Sequence, residues 1–175
     1  MNRYGAAWSL GLSLATFMAA AAGTGPTDPQ IAAIVVTANQ VDIDAGKLAK
    51  AHSHSKQVRD FAQLMITDHS SVNRSATELV TRLHVVPESN ATSQSLQKGG
   101  DENLAHLNTL KGADFDKAYV DHEVAYHQAV LDAVDGTLIP SAQNADLKAL
   151  LVKVRPAFVA HLEHAKNLQA SLLKP

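Results

Sequence analysis

Val58-Arg59-Asp60-Phe61-Ala62-Gln63-Leu64-Met65-Ile66-Thr67-Asp68-His69-Ser70-Ser71-Val72 sets Val58, Phe61, Ala62, Met65 and Val72 three or four positions apart, with His69 on the same stripe. Ala76, Leu79 and Leu83 prolong it. Side chains at that spacing line one face of an α-helix, so the pattern predicts a long amphipathic helix over about 56–84.

Upstream, Thr27-Asp28-Pro29 reads as an N-cap with proline in the first turn. Ile34, Val35, Ala38, Val41, Asp42, Ala45, Leu48 and Ala49 then recur at helical spacing, giving a helix over about 28–52. The polar break Ser53-His54-Ser55, with Ser55 placed to cap, makes these two helices antiparallel neighbours. Downstream, Asp114 is placed to cap a third long helix to about 135, ended by Gly136 and Pro140. It carries Phe115, Tyr119, His122 and Tyr126 on one stripe and Val120, Val124, His127 and Leu131 on the next. A fourth, over about 145–172, buries Leu147, Leu151, Val154, Phe158, His161, Leu162, Ala165 and Leu168.

Between the pairs, Pro87, the polar run 88–95 and Gly99-Gly100 predict a crossover with one or two short helices, supported by Leu96, Leu104, Leu107 and Leu110. No run alternates with period two, so the class is all-α. Two antiparallel hairpins joined by a long crossover is the connectivity of a ferritin-like four-helix bundle.

The N-terminus reads as export machinery. Arg3, the apolar run Ala6 to Met18 and the small residues up to Gly23 predict a cleavable signal peptide over residues 1–23. A single helical domain over residues 24–175 follows. The apolar run is shorter than the roughly 20 residues of a bilayer span, so the expectation is no stable membrane span after cleavage and a periplasmic or secreted protein. With no cysteine there are neither disulfides nor thiolate ligands. The balance of 15 basic against 17 acidic residues, with no basic patch interleaved with aromatics, excludes nucleic-acid binding.

One ionisable residue sits near mid-length on the apolar stripe of each long helix: Asp42, His69, His127 and His161. Such groups are rarely left in a bundle core without partners. Carboxylates can hold the imidazoles, and a divalent cation satisfies the same nitrogens. These four are the candidate metal ligands, with Asp68, Asp116 and Tyr119 as candidates to orient them. Counted from the first hairpin, Asp42 and His69 lie at nearly one level. Counted from the ends flanking Gly136 to Asn144, His127 and His161 differ by about eight residues, or about 12 Å, which splits the centre into two polar clusters.

The residues narrow the chemistry further. No acidic residue is followed three positions later by histidine, so a di-iron centre of the Glu-x-x-His kind is not supported. Met65 is the one methionine after the signal, which argues against a thioether site for monovalent copper. Histidine with carboxylate suits zinc or divalent copper. His122 and His127 are five apart and point away from each other, so His122-Glu123-Val124-Ala125-Tyr126-His127 is not a zinc-protease motif. Glu123 with His127 and His161 with His164 share faces and can each chelate, but the favoured reading is a surface salt bridge for the first pair and one core plus one flanking histidine for the second. Pro156 removes a hydrogen bond to the Val152 carbonyl just before Phe158 and His161. His52, His54, His84 and His106 read as solvated.

Gly46-Lys47-Leu48-Ala49, then Phe61 through His69, Phe115-Asp116-Lys117-Ala118-Tyr119-Val120, His127-Gln128, Pro156 and His161-Leu162 together resemble the bacterial ferritin-like domain-of-unknown-function family 4142. The resemblance covers the whole chain after the signal and implies an exported helical bundle with no established activity. In that family the Asp42 position is usually glutamate.

The leading expectation is therefore a periplasmic bundle that binds a divalent metal or small ligand in an envelope or stress role. The alternative is a structural or interaction bundle whose histidines are only hydrogen-bonded. A redox or hydrolytic enzyme comes third.

Overall fold

A computed structural model describes residues 25–173, so the expected signal segment over residues 1–23 lies outside the described residues. Among them the regular structure is all helical, without a strand. Helix α1 spans Asp28–His52, α2 Lys56–Arg82, α3 Ala91–Leu107, α4 Gly112–Ala133 and α6 Ala145–Leu172. Between α4 and α6 lie a π-helical turn, Val134–Leu138, and a single turn, α5, Ile139–Ser141. No helix among the described residues is long and apolar enough to cross a membrane.

The helix starts follow from the sequence. Thr27 accepts a hydrogen bond from the Gln30 backbone N–H while the Gln30 side chain accepts from the Thr27 N–H, with Pro29 in the first turn. Ser55 accepts from the Val58 N–H at 3.4 Å, and Asn144 caps α6. The Asp28 carboxylate accepts the backbone N–H groups of Gln143 and Asn144, both at 2.9 Å. That pair of bonds sets the beginnings of α1 and α6 at one level.

Three boundaries depart from expectation. Helix α2 ends at Arg82, two residues early, because His84 takes a left-handed conformation with φ 54°. Helix α4 begins at Gly112, whose φ of +58° suits glycine, so Asp114 lies within the first turn and is not the cap. Gly136 and Pro140 do not end the helical path, which continues to Ser141. Proline in an α-helix clashes with the carbonyl four residues back, and the wider π-turn is the local way round that clash.

The crossover also differs. Gly99-Gly100 does not split it: α3 is one helix of 17 residues that runs through both. A Cβ at Gly100 would lie 2.7 Å from Val41 Cγ2, so bare backbone at this point lets α3 lie close against α1.

Helices α1, α2, α4 and α6 share the core, and it comes in two parts. One apolar cluster includes Ile31, Ile34, Val72, Leu131, Leu151 and Phe158; the other includes Ala49, Phe61, Met65, Phe115, Tyr119 and Leu168. Asp42, His69, His127 and His161 occupy the layer between them.

A candidate metal centre

The three histidines converge. His69, His127 and His161 are all buried, and their ring centres lie 5.6 Å (His69 to His127), 5.2 Å (His69 to His161) and 5.4 Å (His127 to His161) apart. Rings bound to one tetrahedral ion through nitrogens about 2.05 Å away would have centres roughly 5.2 Å apart. The expected division into two clusters is therefore wrong. Because the helical path after α4 continues to Ser141, His127 lies fourteen residues before its end and His161 sixteen after the start of α6. The mismatch shrinks to about 3 Å at 1.5 Å per residue.

Each ring is pinned from outside. His69 Nδ1 stands 2.7 Å from Asn39 Oδ1, and the Asn39 amide group donates to the Val35 carbonyl, so Nδ1 carries the proton. His127 Nδ1 donates to the Glu123 backbone carbonyl at 3.0 Å. His161 Nε2 donates to Asp68 Oδ2 at 2.9 Å. A neutral imidazole with one nitrogen so engaged presents a lone pair on the other. The inward nitrogens are then His69 Nε2, His127 Nε2 and His161 Nδ1, all buried and all without a hydrogen-bond partner. Outer hydrogen bonds that fix tautomer and orientation are the usual company of metal-binding histidine.

Asp42 supplies the charge. Its Oδ2 lies 3.0 Å from His69 Nε2 and 3.3 Å from His127 Nε2, yet neither carboxylate oxygen makes a hydrogen bond of acceptable direction. Bonds of 2.0–2.1 Å around a tetrahedral ion put neighbouring ligand atoms about 3.3–3.4 Å apart, close to these separations. Burial raises the Asp42 carboxyl, but the facing imidazoles, His69 foremost, outweigh it and hold the group below its ordinary value. Burial lowers His127 to about 4 and also lowers His161 against the pull of Asp68. Near neutral pH the layer is thus a carboxylate beside uncharged His127 and His161. Phe158 stacks on the His69 ring, nearly parallel at 5.4 Å, and closes one side with apolar surface.

A second set of atoms adjoins the first. Asp42, Glu123 and His127 bring ligand atoms within 4.8 Å of one another, as do the three histidines. Glu123 and His127 are 1 % exposed each, so their expected surface salt bridge is instead a buried contact, with Glu123 Oε2 3.4 Å from His127 Nδ1. Both stripes of α4 face protein, which is why this pair lies inside. Burial, then the Asp42 charge, pushes the Glu123 carboxyl well above its usual range. Burial and Glu123 likewise raise the Tyr119 phenol.

Of the residues expected to orient the imidazoles, Asp68 accepts a hydrogen bond from His161 and Tyr119 neighbours Glu123. Asp116 is buried but belongs to neither group of converging atoms. Asn39 was not among the expected site residues, and Glu123 entered only as a chelating alternative to the favoured surface salt bridge with His127. Asn39 had a signal, a polar group three positions before Asp42 and so on its face. His52, His54, His84 and His106 are exposed, and His164 is exposed with its ring edge-on to Phe61.

The fold and this layer define an all-helical bundle with a buried histidine and carboxylate centre. The chain belongs to the family described as domain of unknown function DUF4142, whose model matches residues 13–168. No curated protein and no solved structure matches it.

Proposed function

We propose that the protein is an exported, ferritin-like bundle that holds one divalent cation, zinc or divalent copper, between His69 Nε2, His127 Nε2, His161 Nδ1 and Asp42 Oδ2, in a binding rather than a catalytic role. The observation that carries this reading is that all three imidazoles spend one nitrogen on an outer acceptor and leave the other buried and unpartnered, with ligand atoms of the three rings within 4.8 Å of one another and Asp42 Oδ2 beside His69 and His127. Four N and O donors suit either metal. The ferritin-like arrangement is supported by the short connections within α1–α2 and α4–α6 and by α3 in the crossover. Export rests on the signal pattern over residues 1–23, and an envelope or stress role follows from that location.

The test is metal analysis of untagged protein, then thermal melts with zinc, copper(II) and chelator. A cation at 100 times its dissociation constant adds about 2.7 kcal/mol, a rise of about 5–10 °C for a domain of this size. His69→Ala and His161→Ala abolish the shift. No bound metal and no shift would leave a bundle with hydrogen-bonded histidines. Loss only in His52→Ala with His54→Ala would move the site to the surface. Sequencing the N-terminus of protein recovered from outside the cytoplasm checks export.

A further inference from the structure

A cavity of about 280 Å³ adjoins the centre. Its wall is largely apolar and includes Ala38, Val130, Val134, Leu138 and Leu151, and Asn39, Asp42, His69 and His127 also line it; His161 is not in the wall. The exposed residues Ala129 and Thr137 also line it, so the chamber connects the centre to solvent. Part of the wall is the π-helical turn, a feature often found at functional sites. Close-packed interiors do not keep such a volume by default. An apolar chamber with a few convergent polar groups is the usual form of a small-molecule pocket.

We propose that this chamber takes a medium-chain carboxylate, whose head reaches the cation between His69, His127 and Asp42 and whose tail lies along Val130, Val134 and Leu151. The size follows from proportion: a cavity of about 150 Å³ holds benzene, roughly 25 Å³ per heavy atom, so this one takes about eleven. The head follows from the centre. A divalent cation favours an anionic oxygen donor, and zinc accepts a fifth ligand. Ligand entry is from the chamber because only the Asp42, His69 and His127 side of the centre opens to it. The proposal rests on the metal reading above.

Octanoate, with ten non-hydrogen atoms, is the probe. Calorimetric titration into the zinc-loaded full chain gives saturable one-to-one binding, weakened at least tenfold after EDTA. Ala133→Phe, which fills the chamber away from the ligands, abolishes octanoate binding and leaves zinc affinity unchanged; Ala38→Leu narrows another wall and serves if the first variant does not fold. Zinc binding without saturable octanoate binding overturns the chamber proposal alone. Equal octanoate affinity with and without zinc overturns the placement of the head, and wild-type affinity in the filled variants overturns the placement of the tail. Failure of zinc to bind overturns both this proposal and the metal reading.

Discussion

His69 Nε2 stands 3.0 Å from Asp42 Oδ2, and no hydrogen bond joins them. The opposite nitrogen of the same ring is committed to Asn39. In the neutral ring a lone pair then faces a carboxylate, a repulsive contact until a cation lies between them. A divalent metal held as proposed relieves it by engaging His127 and His161 as well.

Asn39 is the positioning residue most open to test. Asn39→Ala removes the acceptor that holds His69 Nδ1–H, and zinc affinity, measured by competition with a chromophoric chelator, falls about 10–100-fold. Asn39→Asp keeps an acceptor at that place and restores most of the loss. Unchanged affinity in Asn39→Ala would show that His69 is oriented by packing alone.

Glu123→Gln tests the raised carboxyl. The folded carboxyl lies well above its ordinary value of 4.5, chiefly through burial. A group raised on folding contributes stability that is fully present below the unfolded value and lost as pH rises through the folded one. Glutamine mimics the protonated acid at every pH. The metal-free variant is therefore more stable than the parent at pH 7, by up to about 3 kcal/mol, the full cost of holding an ordinary carboxyl protonated there. At pH 4 the two are alike. Urea unfolding at both values checks this; a variant weaker at pH 7 would mean that Glu123 is ionised in the fold.

The four long helices were legible because each carries an unbroken apolar stripe, and the histidines because they sit on those stripes. Their common level was not. Gly136 and Pro140 are helix-stop residues locally, and only packing makes the chain pass them as a π-turn. Glu123 was hidden for a different reason: a Glu four positions before a His is the ordinary pattern of an exposed face, and nothing within α4 says that its second stripe is covered. Gly99-Gly100 misled in the same way, since a breaker pair and a close-contact pair are identical in one sequence.

That last ambiguity yields a paired prediction. At Gly99 a Cβ meets nothing within 4 Å, so Gly99→Ala gains helix propensity and stabilises the protein by about 0.5–1 kcal/mol. At Gly100 a Cβ meets Val41 Cγ2 at 2.7 Å and Cγ1 at 2.9 Å. Valine is stiff about χ1, so α3 must move from α1, and Gly100→Ala destabilises by about 1–2 kcal/mol despite the same propensity gain. Denaturation midpoints of the two variants should shift in opposite directions. A shared direction would mean that α3 does not rest on Val41.

The pH response of the metal-free protein carries the mark of His127. Burial lowers its imidazole from 6.5 to about 4, with repulsion from His69 and His161 in the same sense and attraction to Asp42 and the Glu123 carbonyl opposing. It is faced by Asp42 from α1, His69 from α2, Glu123 on its own helix and His161 from α6. A group depressed on folding contributes stability that is whole above its unfolded value and lost as pH falls through the folded one. Between pH 6.5 and 4 the unfolded chain takes up a proton that the folded chain refuses, at a cost of about 3 kcal/mol. His161, also lowered by burial, adds to the loss. Glu123 acts in the opposite sense over part of that window, so the measurement is made in Glu123→Gln with EDTA present. Stability from urea unfolding should fall from pH 7 to pH 4.5, and His127→Gln should flatten the curve. An equal slope with and without the imidazole would place the titration elsewhere.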